Sequence, residues 1–440
     1  MNEMMIKSLS EKLDQSQPVL RKLDSYWCGQ QPAAYLSKGA REALGTSLTG
    51  LAVNFPKLAV TALAERLNIT GFRAQGDGAE PSPDLWKIWN RNRMDDGSAQ
   101  AHIDALVYGR SFVMVWAGPR GPQITVESPH QIAVHHDPVS HQVTAAFKRW
   151  AVNGQAHGVL YLADQIHTYR SSSNVVDGAF PATNWDLVET IANPFGVVPV
   201  VPIVNRGRLM DLDGVSEMTD IMGLSDALNK LSADAMVSSE FYARPRRWAT
   251  GLELAEDDDG NVIQPFSDEA GKLWISEDTE TKFGQFDGSR LDGYSDLMQT
   301  VTQQIGALSG LPPHYLGLYG DQPPSADSIR SAEASLVSRV YTLQRIFGNA
   351  WEQVAALVLA VKDGVDPLDV ELGTVWAGPE TRTPAQAADA AVKLKTMGVP
   401  LSIVLEDSLG YSPAQLERVR TALRAEALDT AGVNLTELVQ

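Results

Sequence analysis

The stretch SGLPPHYLGLYGDQPPSADSIRSAEASL, residues 309–336, decides how the chain is read. Two proline pairs, Pro312-Pro313 and Pro323-Pro324, bracket an aromatic, glycine-rich run. Proline fixes φ and removes a backbone donor, so paired prolines stiffen each end of a loop. Gly317 and Gly320 leave the tip adjustable, and Leu318 and Tyr319 give it bulk without positive charge. Ser325 then supplies an N-cap, and Asp327 falls in a first turn where the helix dipole favours an acid. From Ile329 through Leu336, Val340, Leu343, Phe347, Ala350, Val354, Leu357 and Val361, one apolar stripe continues as far as Lys362. At about 1.5 Å per residue, such a helix runs on the order of 55 Å. It must cross most of a domain. Gly348 is the place where the pattern allows it to bend.

Working outward, a helix over Asp292–Leu308 leads into the loop, and a helix read from about Asp213 to Arg244 lies upstream. Between them sits a compact insert over 245–290, with a hairpin turn expected at Asp259-Gly260. The insert is a projection on a two-helix stalk. Further upstream, Pro18–Thr70 reads as helical and amphipathic, with Leu58, Val60, Leu63, Leu67 and Ile69 on one face and Gly71 as the stop. A second helical stretch covers residues 84–109. After it, Val113, Val115, Ile124, Val126, Ile132 and Val134 mark period-two strands broken at GPRGP and DPVS. This α+β part closes near Asn205. Downstream of the long helix, DPLDVELGTVWA adds one strand, and 383–440 reads as short helices parted at GVPLS and GYSP.

The chain has 440 residues, too many for one ordinary core. With 44% hydrophobic and 20% charged residues it has the composition of a globular protein. The formal charge of −18 repels nucleic acid on average, so any contact with DNA is local or weak. Cys28 is the only cysteine, which excludes an intrachain disulfide and points to assembly in a reducing cytosol. No run of apolar residues is long enough to span a bilayer.

The motifs of common catalysis are absent: no Gly-rich phosphate loop, no HExxH, no G-x-S-x-G. His130, His135, His136, Asp137 and His141 cluster along the chain, yet His135 and His136 are adjacent and point to opposite faces of a strand. The cluster reads as polar residues of a hairpin. EDDDGN at 256–261 lacks the ligand spacing of a calcium loop and reads as a solvated tip. In RPRRW, Arg244, Arg246 and Arg247 suit a helix C-terminus and equally suit contacts to phosphate. No catalytic residue, metal or cofactor is expected.

The blocks YWCGQQPAAYLS, LAVNFPKLAVTALAERLNITGFR, LWKIWNRNRMDDGSAQAHIDALVYGRSFVMVW, ITVESPHQIAV, SGLPPHYLG, PPSADSIRSAEASLV and PAQAADAAVKLKTMGVP occur in this order over nearly the whole chain. In them the sequence resembles portal proteins of tailed bacteriophages, specifically the actinobacteriophage branch related to the Gp6-like family. No block is catalytic; their order and spacing carry the likeness. The resemblance implies an α+β portal fold. It assigns 1–210 to a wing, 211–244 to a helix entering the stem, 245–290 to a clip and 291–309 to the second stem helix. It assigns 310–327 to a tunnel loop, 328–379 to the long helix and a returning wing strand, and 380–440 to a crown. The absence of a long basic or coiled extension reads as a short crown.

The resemblance further implies a homo-oligomeric ring, a dodecamer, at one capsid vertex, through which double-stranded DNA passes without sequence readout. Gly317, Leu318, Tyr319, Gly320, Asp321 and Gln322 become the DNA-facing tip of the loop, and the three arginines become candidate phosphate contacts. The implied partners are the terminase large subunit, the head–tail adaptor, and the major capsid and scaffolding proteins. Another ring-forming head–tail connector, or a nucleic-acid-processing enzyme, are the alternatives.

Overall fold

The computed structural model describes residues 2–32, 53–74, 82–175, 178–181, 184–242, 247–251, 280–285, 291–318, 325–381, 384–411 and 413–430. Two compact units are formed: one from residues 1–31, 54–222 and 308–440, the other from 32–53 and 223–307. Mixed helix and strand make this an α+β protein.

Helix α1 spans Asn2–Trp27 and runs straight through Pro18, where the sequence reading had the helix begin. Ile6, Leu9, Leu13, Leu20 and Leu23 form its buried stripe, and this burial outweighs the one ladder hydrogen bond that proline removes. Helix α2 (Phe55–Ala64) ends before the expected stop at Gly71, and Ile69–Ala74 is strand β1. Long-range pairing overrides the helical pattern there, since β1 lies antiparallel to a strand some 300 residues away. The next helical stretch is also two elements, α3 (Pro83–Arg91) and α4 (Met94–Tyr108), separated at Arg93 with φ 55°. Asn92 explains the break: its side chain donates to Pro122 O at 3.1 Å and accepts from Ile124 N at 3.1 Å, clamping the corner to the neighbouring hairpin.

Strands β2 (Arg110–Gly118) and β3 (Gly121–Glu127) form that hairpin. They are followed by β4 (Ile132–His136), β5 (Val143–Val152), β6 (Gln155–Leu162), β7 (Gln165–Asn174), β8 (Trp185–Ala192) and β9 (Val200–Val204). An antiparallel five-stranded sheet has the order β4-β5-β6-β7-β8, and β3-β2-β9 form a second sheet. Leu9 and Leu13 of α1 pack on Phe147, Leu160 and Tyr169 of the larger sheet. The fully buried Arg149 guanidinium pairs with Asp14 of α1 and lies 4.6 Å from the Phe180 ring.

Helix α5 starts at Thr219 and ends at Tyr242, six residues later than the helix read from Asp213. The preceding residues follow an irregular course with turns at 212–213 and 217–218, held because Val215 N donates to Asn205 O and Glu217 N to Leu106 O, both at 2.9 Å. In the second unit, Ser238 Oγ of α5 meets Tyr294 Oη of α6 (Asp292–Ser309) at 3.3 Å. The described part of the insert between them is one antiparallel pair, β10 (Arg247–Thr250) with β11 (Lys282–Gln285). The expected turn at Asp259-Gly260 lies outside the described residues.

Helix α7 is Ala326–Asp363, 38 residues and about 57 Å long. Ser325 caps it by accepting from Ser328 N at 3.2 Å. It runs through Gly348 as one helix, and the glycine leaves room there for a neighbouring strand. Strand β12 (Leu372–Trp376), the partner of β1, comes close at this point. Thr374 Oγ1 donates to Gly348 O at 3.2 Å, and a Cβ on Gly348 would meet Trp376 Nε1 at 3.4 Å. Trp351, which the stripe omitted, is fully buried and donates its indole N–H to His102 Nε2 at 2.8 Å. Burial pushes His102 down to about 3, so it stays neutral and accepts this bond throughout the physiological range. The chain ends its described course in α8 (Pro384–Thr396), α9 (Leu401–Leu409) and α10 (Pro413–Thr430).

Where α1 meets α4, Tyr108 donates its hydroxyl to Asp24, whose other oxygen lies 3.1 Å from His130 Nε2. Burial and the Asp24 charge raise Asp104 from 3.8 to about 6. The folded chain thus holds this proton more tightly than the unfolded chain, and stability is lost as pH rises through about 6. At neutral pH the buried charge costs on the order of 2 kcal/mol. Asp104→Asn is expected to raise the melting temperature at pH 7.5 and to leave it nearly unchanged at pH 4. An equal shift at both values, in calorimetry or circular dichroism, would contradict this account.

Candidate functional site

Two charged residues lie on or beside the apolar stripe of α7. Glu333 falls four residues after Ile329 and three before Leu336, and Arg339 three residues after Leu336. Each organises one part of the molecule.

Glu333 is buried at 4% exposure. Its carboxylate accepts from Arg66 Nη2 at 3.4 Å and lies 3.5 Å from His314 Nε2. Arg66, two residues beyond the end of α2, also donates to Tyr315 Oη at 3.1 Å and Thr381 Oγ1 at 3.4 Å. His314 and Tyr315 belong to a short 3-10 turn, Pro313–Leu316, that Leu311 and Leu316 anchor by their burial. Gly317 ends this turn with φ +70°, a conformation that costs glycine nothing. Leu318 N then donates back to Pro313 O at 3.0 Å.

The loop read as 310–327 is therefore shorter. Leu311 and Leu316 are buried, Tyr315 is bonded by Arg66 and His314 lies beside Glu333 of α7, and the helix has begun by Ala326. Gly317 and Leu318 form its near end, and Tyr319, Gly320, Asp321 and Gln322 lie outside the described residues.

Arg339 donates through one guanidinium nitrogen to the carbonyl of Ser309 and through another to the Glu217 carboxylate. Glu217 also accepts from Asn205 Nδ2 at 2.9 Å. Ser309 is the last residue of α6, and Glu217 precedes α5 by two residues. One side chain of α7 thus ties the segment just before α5 to the last residue of α6. A planar fork is what such two-sided bonding requires.

Arg247 stands in β10 opposite Gln285; Arg244 and Arg246 lie outside the described residues, as do residues 256–261. The histidines are dispersed among separate roles. His130 Nδ1 meets Gln17 Oε1 at 3.0 Å, His135 Nδ1 meets Thr144 Oγ1 at 2.9 Å, and His141 sits in a turn with φ 58°. Asp137 accepts from Val139 N at 2.8 Å in that turn. Among the described residues, no group of three or more His, Cys, Asp or Glu side chains is placed to hold a metal ion.

Ionic side chains on a long helix thus fix a loop root and join the segments next to α5 and α6. Arg66, Glu217, Glu333 and Arg339 were not singled out from sequence. A charge falling in the phase of an apolar stripe, as Glu333 does, is the signal that could have found one of them.

A sequence model of the family described as "Phage portal protein, SPP1 Gp6-like" matches residues 6–409, a span holding both junctions of α7. The chain belongs to this phage portal protein family. The portal protein of Mycobacterium phage D29 is 33% identical over 390 residues, covering 84% of this chain and 78% of the relative. That of Mycobacterium phage L5 is 31% identical over 392 residues, with the same coverage. A solved chain from the neck of an empty gene transfer agent particle covers 83% of this chain and 92% of its own, at 16% identity and TM-score 0.49. Portal proteins are structural components of the phage particle rather than enzymes, consistent with ion pairs that hold elements in place.

Proposed function

We propose that this portal chain assembles as a homo-oligomeric ring, a dodecamer, at one vertex of the capsid, and that double-stranded DNA is packaged and ejected through it. The observation that carries the reading is the pair of junctions on α7, where one helix bonds both the root of a proline-bracketed loop and the segments that lead into α5 and out of α6. In this reading the loop tip, Gly317 to Gln322, faces the duplex and narrows the channel. A net charge of −18 per chain keeps the wall from gripping phosphate, so the duplex slides. Arg244, Arg246 and Arg247 supply a sparse ring of phosphate contacts, which position the duplex without reading its sequence. The insert over 245–290 docks the terminase large subunit during packaging and the head–tail adaptor afterwards. Major capsid and scaffolding proteins surround the ring, which is built in the host cytoplasm and ends in the virion.

Electron microscopy of the purified protein tests this directly, with closed rings and a central channel as the expected result. Rings lacking residues 252–279 should still close but no longer bind terminase. In the same particles, Gln at all three arginines should leave the rings intact and make DNA retention less sensitive to salt. A parent chain that stays monomeric under every assembly condition, or a shortened ring that still binds terminase, would overturn the reading.

A further inference from the structure

Strand β9 stands at an open edge of its sheet. In the order β3-β2-β9 it has one neighbour, and the antiparallel register sets Val201 opposite Val113 and Ile203 opposite Ser111. Val115 N donates to Pro199 O at 3.1 Å and Asn205 N to Gly109 O at 2.8 Å. Hydrogen-bonded pairs alternate along such a ladder, so residues 199, 201, 203 and 205 are the ones that bond to β2. The backbone groups of Val200, Pro202 and Val204 therefore point away from it. None of them is bonded elsewhere among the described residues.

A groove of about 590 Å³ runs along this edge. Pro202 and Val204 line it, and so does Val201, whose side chain points to the other face of the strand. Residues from both faces share one groove only where it follows the edge between them. One wall is α7, with Ile346 and Leu357, and the other is the β4–β5 corner, with Val143. Val200 is buried, while Pro202, Val204 and Arg206 are partly exposed, so the accessible edge is 202–206. Of the lining residues, Arg206 is the one Lys or Arg, and none is Asp or Glu. Its Nε is buried, and the guanidinium makes no hydrogen bond or ion pair among the described residues. Burial, and then the Lys12 charge, hold His136 below its usual range, so this imidazole adds no second cation at neutral pH.

We propose that the groove takes an extended segment of a partner protein, which adds as a strand to the 202–204 edge and sets one carboxylate on Arg206. The backbone decides for a strand. An extended segment can bond the N–H and carbonyl of Val204 and the carbonyl of Pro202, whereas a helix uses its own backbone groups internally. Alternate side chains of the segment meet α7 on one side and Val143 on the other, and both walls are apolar. One unpaired cation and no lining carboxylate call for one acidic residue in the segment. A second β9 is not the occupant. Pro202 lacks the N–H that edge-to-edge pairing would use at the centre of the strand, and the edge is walled on both sides. This surface does not depend on the ring reading above.

The test selects displayed random eight-residue peptides on the full-length chain. The counter-selection uses Gln353→Trp, a change at an exposed lining position that fills the groove. Both this variant and Arg206→Gln should remain folded by circular dichroism. Selected peptides should carry alternating aliphatic residues, one Asp or Glu, and no central proline. N-methylation of one alternate set of amides should weaken binding by about tenfold, and of the other set should not. Arg206→Gln should also cost about tenfold, and in that variant changing the peptide's acid to its amide should cost nothing further. Amide exchange over residues 200–206 should slow on binding. Peptides that bind Gln353→Trp equally, or whose two N-methylated sets bind alike, would overturn the inference, as would a selection that yields none. Peptides that bind the single chain but not assembled rings would show that another copy fills the groove, overturning the partner protein while leaving the ring reading standing.

Discussion

Replacing Arg339 by Met is expected to destabilise the protein by about 3 kcal/mol, the scale for removing one partner of a largely buried ion pair. The cost has two sources. Glu217, whose side chain is 15% exposed, keeps only its bond from Asn205, and the Ser309 carbonyl loses a charged donor. In a protein of this size the melting temperature should fall by about 3 °C. Arg339→Lys keeps the charge but cannot bond both partners with one planar group, so it should recover less than half of the loss. Hydrogen exchange should rise at residues 215–219 and 308–311, the two junctions, before it rises in the five-stranded sheet. A double-mutant cycle with Glu217→Gln should return a coupling of at least about 1 kcal/mol. An Arg339→Met protein within about 0.5 kcal/mol of the parent, with unchanged exchange at both junctions, would show that Arg339 does not join them.

Legibility followed the range of the interactions. Helix α7 was readable almost to the residue, because its cap and stripe are local signals: Ser325 caps it, and Leu336 to Leu357 are buried as expected. The helices of the last sixty residues were readable for the same reason, with Gly398 and Gly410 at their ends. Helix α1 was half missed because Pro18 was read as a boundary, although Ile6, Leu9 and Leu13 keep the same phase as Leu20 and Leu23 on its other side. Strand β1 was missed because its partner, β12, lies beyond α7 in sequence. The candidate site was least legible. Arg66 and Glu333 are 267 residues apart, and Glu217 and Arg339 are 122 apart. No local pattern announces a pair at that separation. The prolines and glycines of the loop were visible, but they speak only of backbone freedom. Which side chains seat the loop root depends on Arg66 reaching both Tyr315 and Glu333.

That distinction sets the last expected result. Replacing Leu318–Gln322 with a Gly-Ser segment of equal length, with Gly317 kept, should leave ring assembly intact and the melting temperature within about 1 °C of the parent. The root below it supplies its own stability: Leu311 and Leu316 remain buried, Tyr315 keeps Arg66, and Glu333 keeps both Arg66 and His314. Gly317 is retained because φ +70° would strain any other residue at the end of the 3-10 turn. What the exchange removes is Leu318 and Tyr319, the bulk of the tip, and it adds backbone entropy where Pro323 and Pro324 now limit the swing. Particles assembled with this variant should lose most packaged DNA or fail to fill, read as genome content per particle. A control that extends the comparison changes Tyr315→Phe, which removes the hydroxyl bonded to Arg66; it should lower the melting temperature by the equivalent of about 1 kcal/mol. The two variants therefore separate tip from root. If the Gly-Ser variant instead fails to form rings or unfolds several degrees early, the tip is packed structure and the channel role proposed for it falls. If it packages and retains DNA as the parent does, the tip is dispensable, and the constriction must be sought elsewhere on the chain.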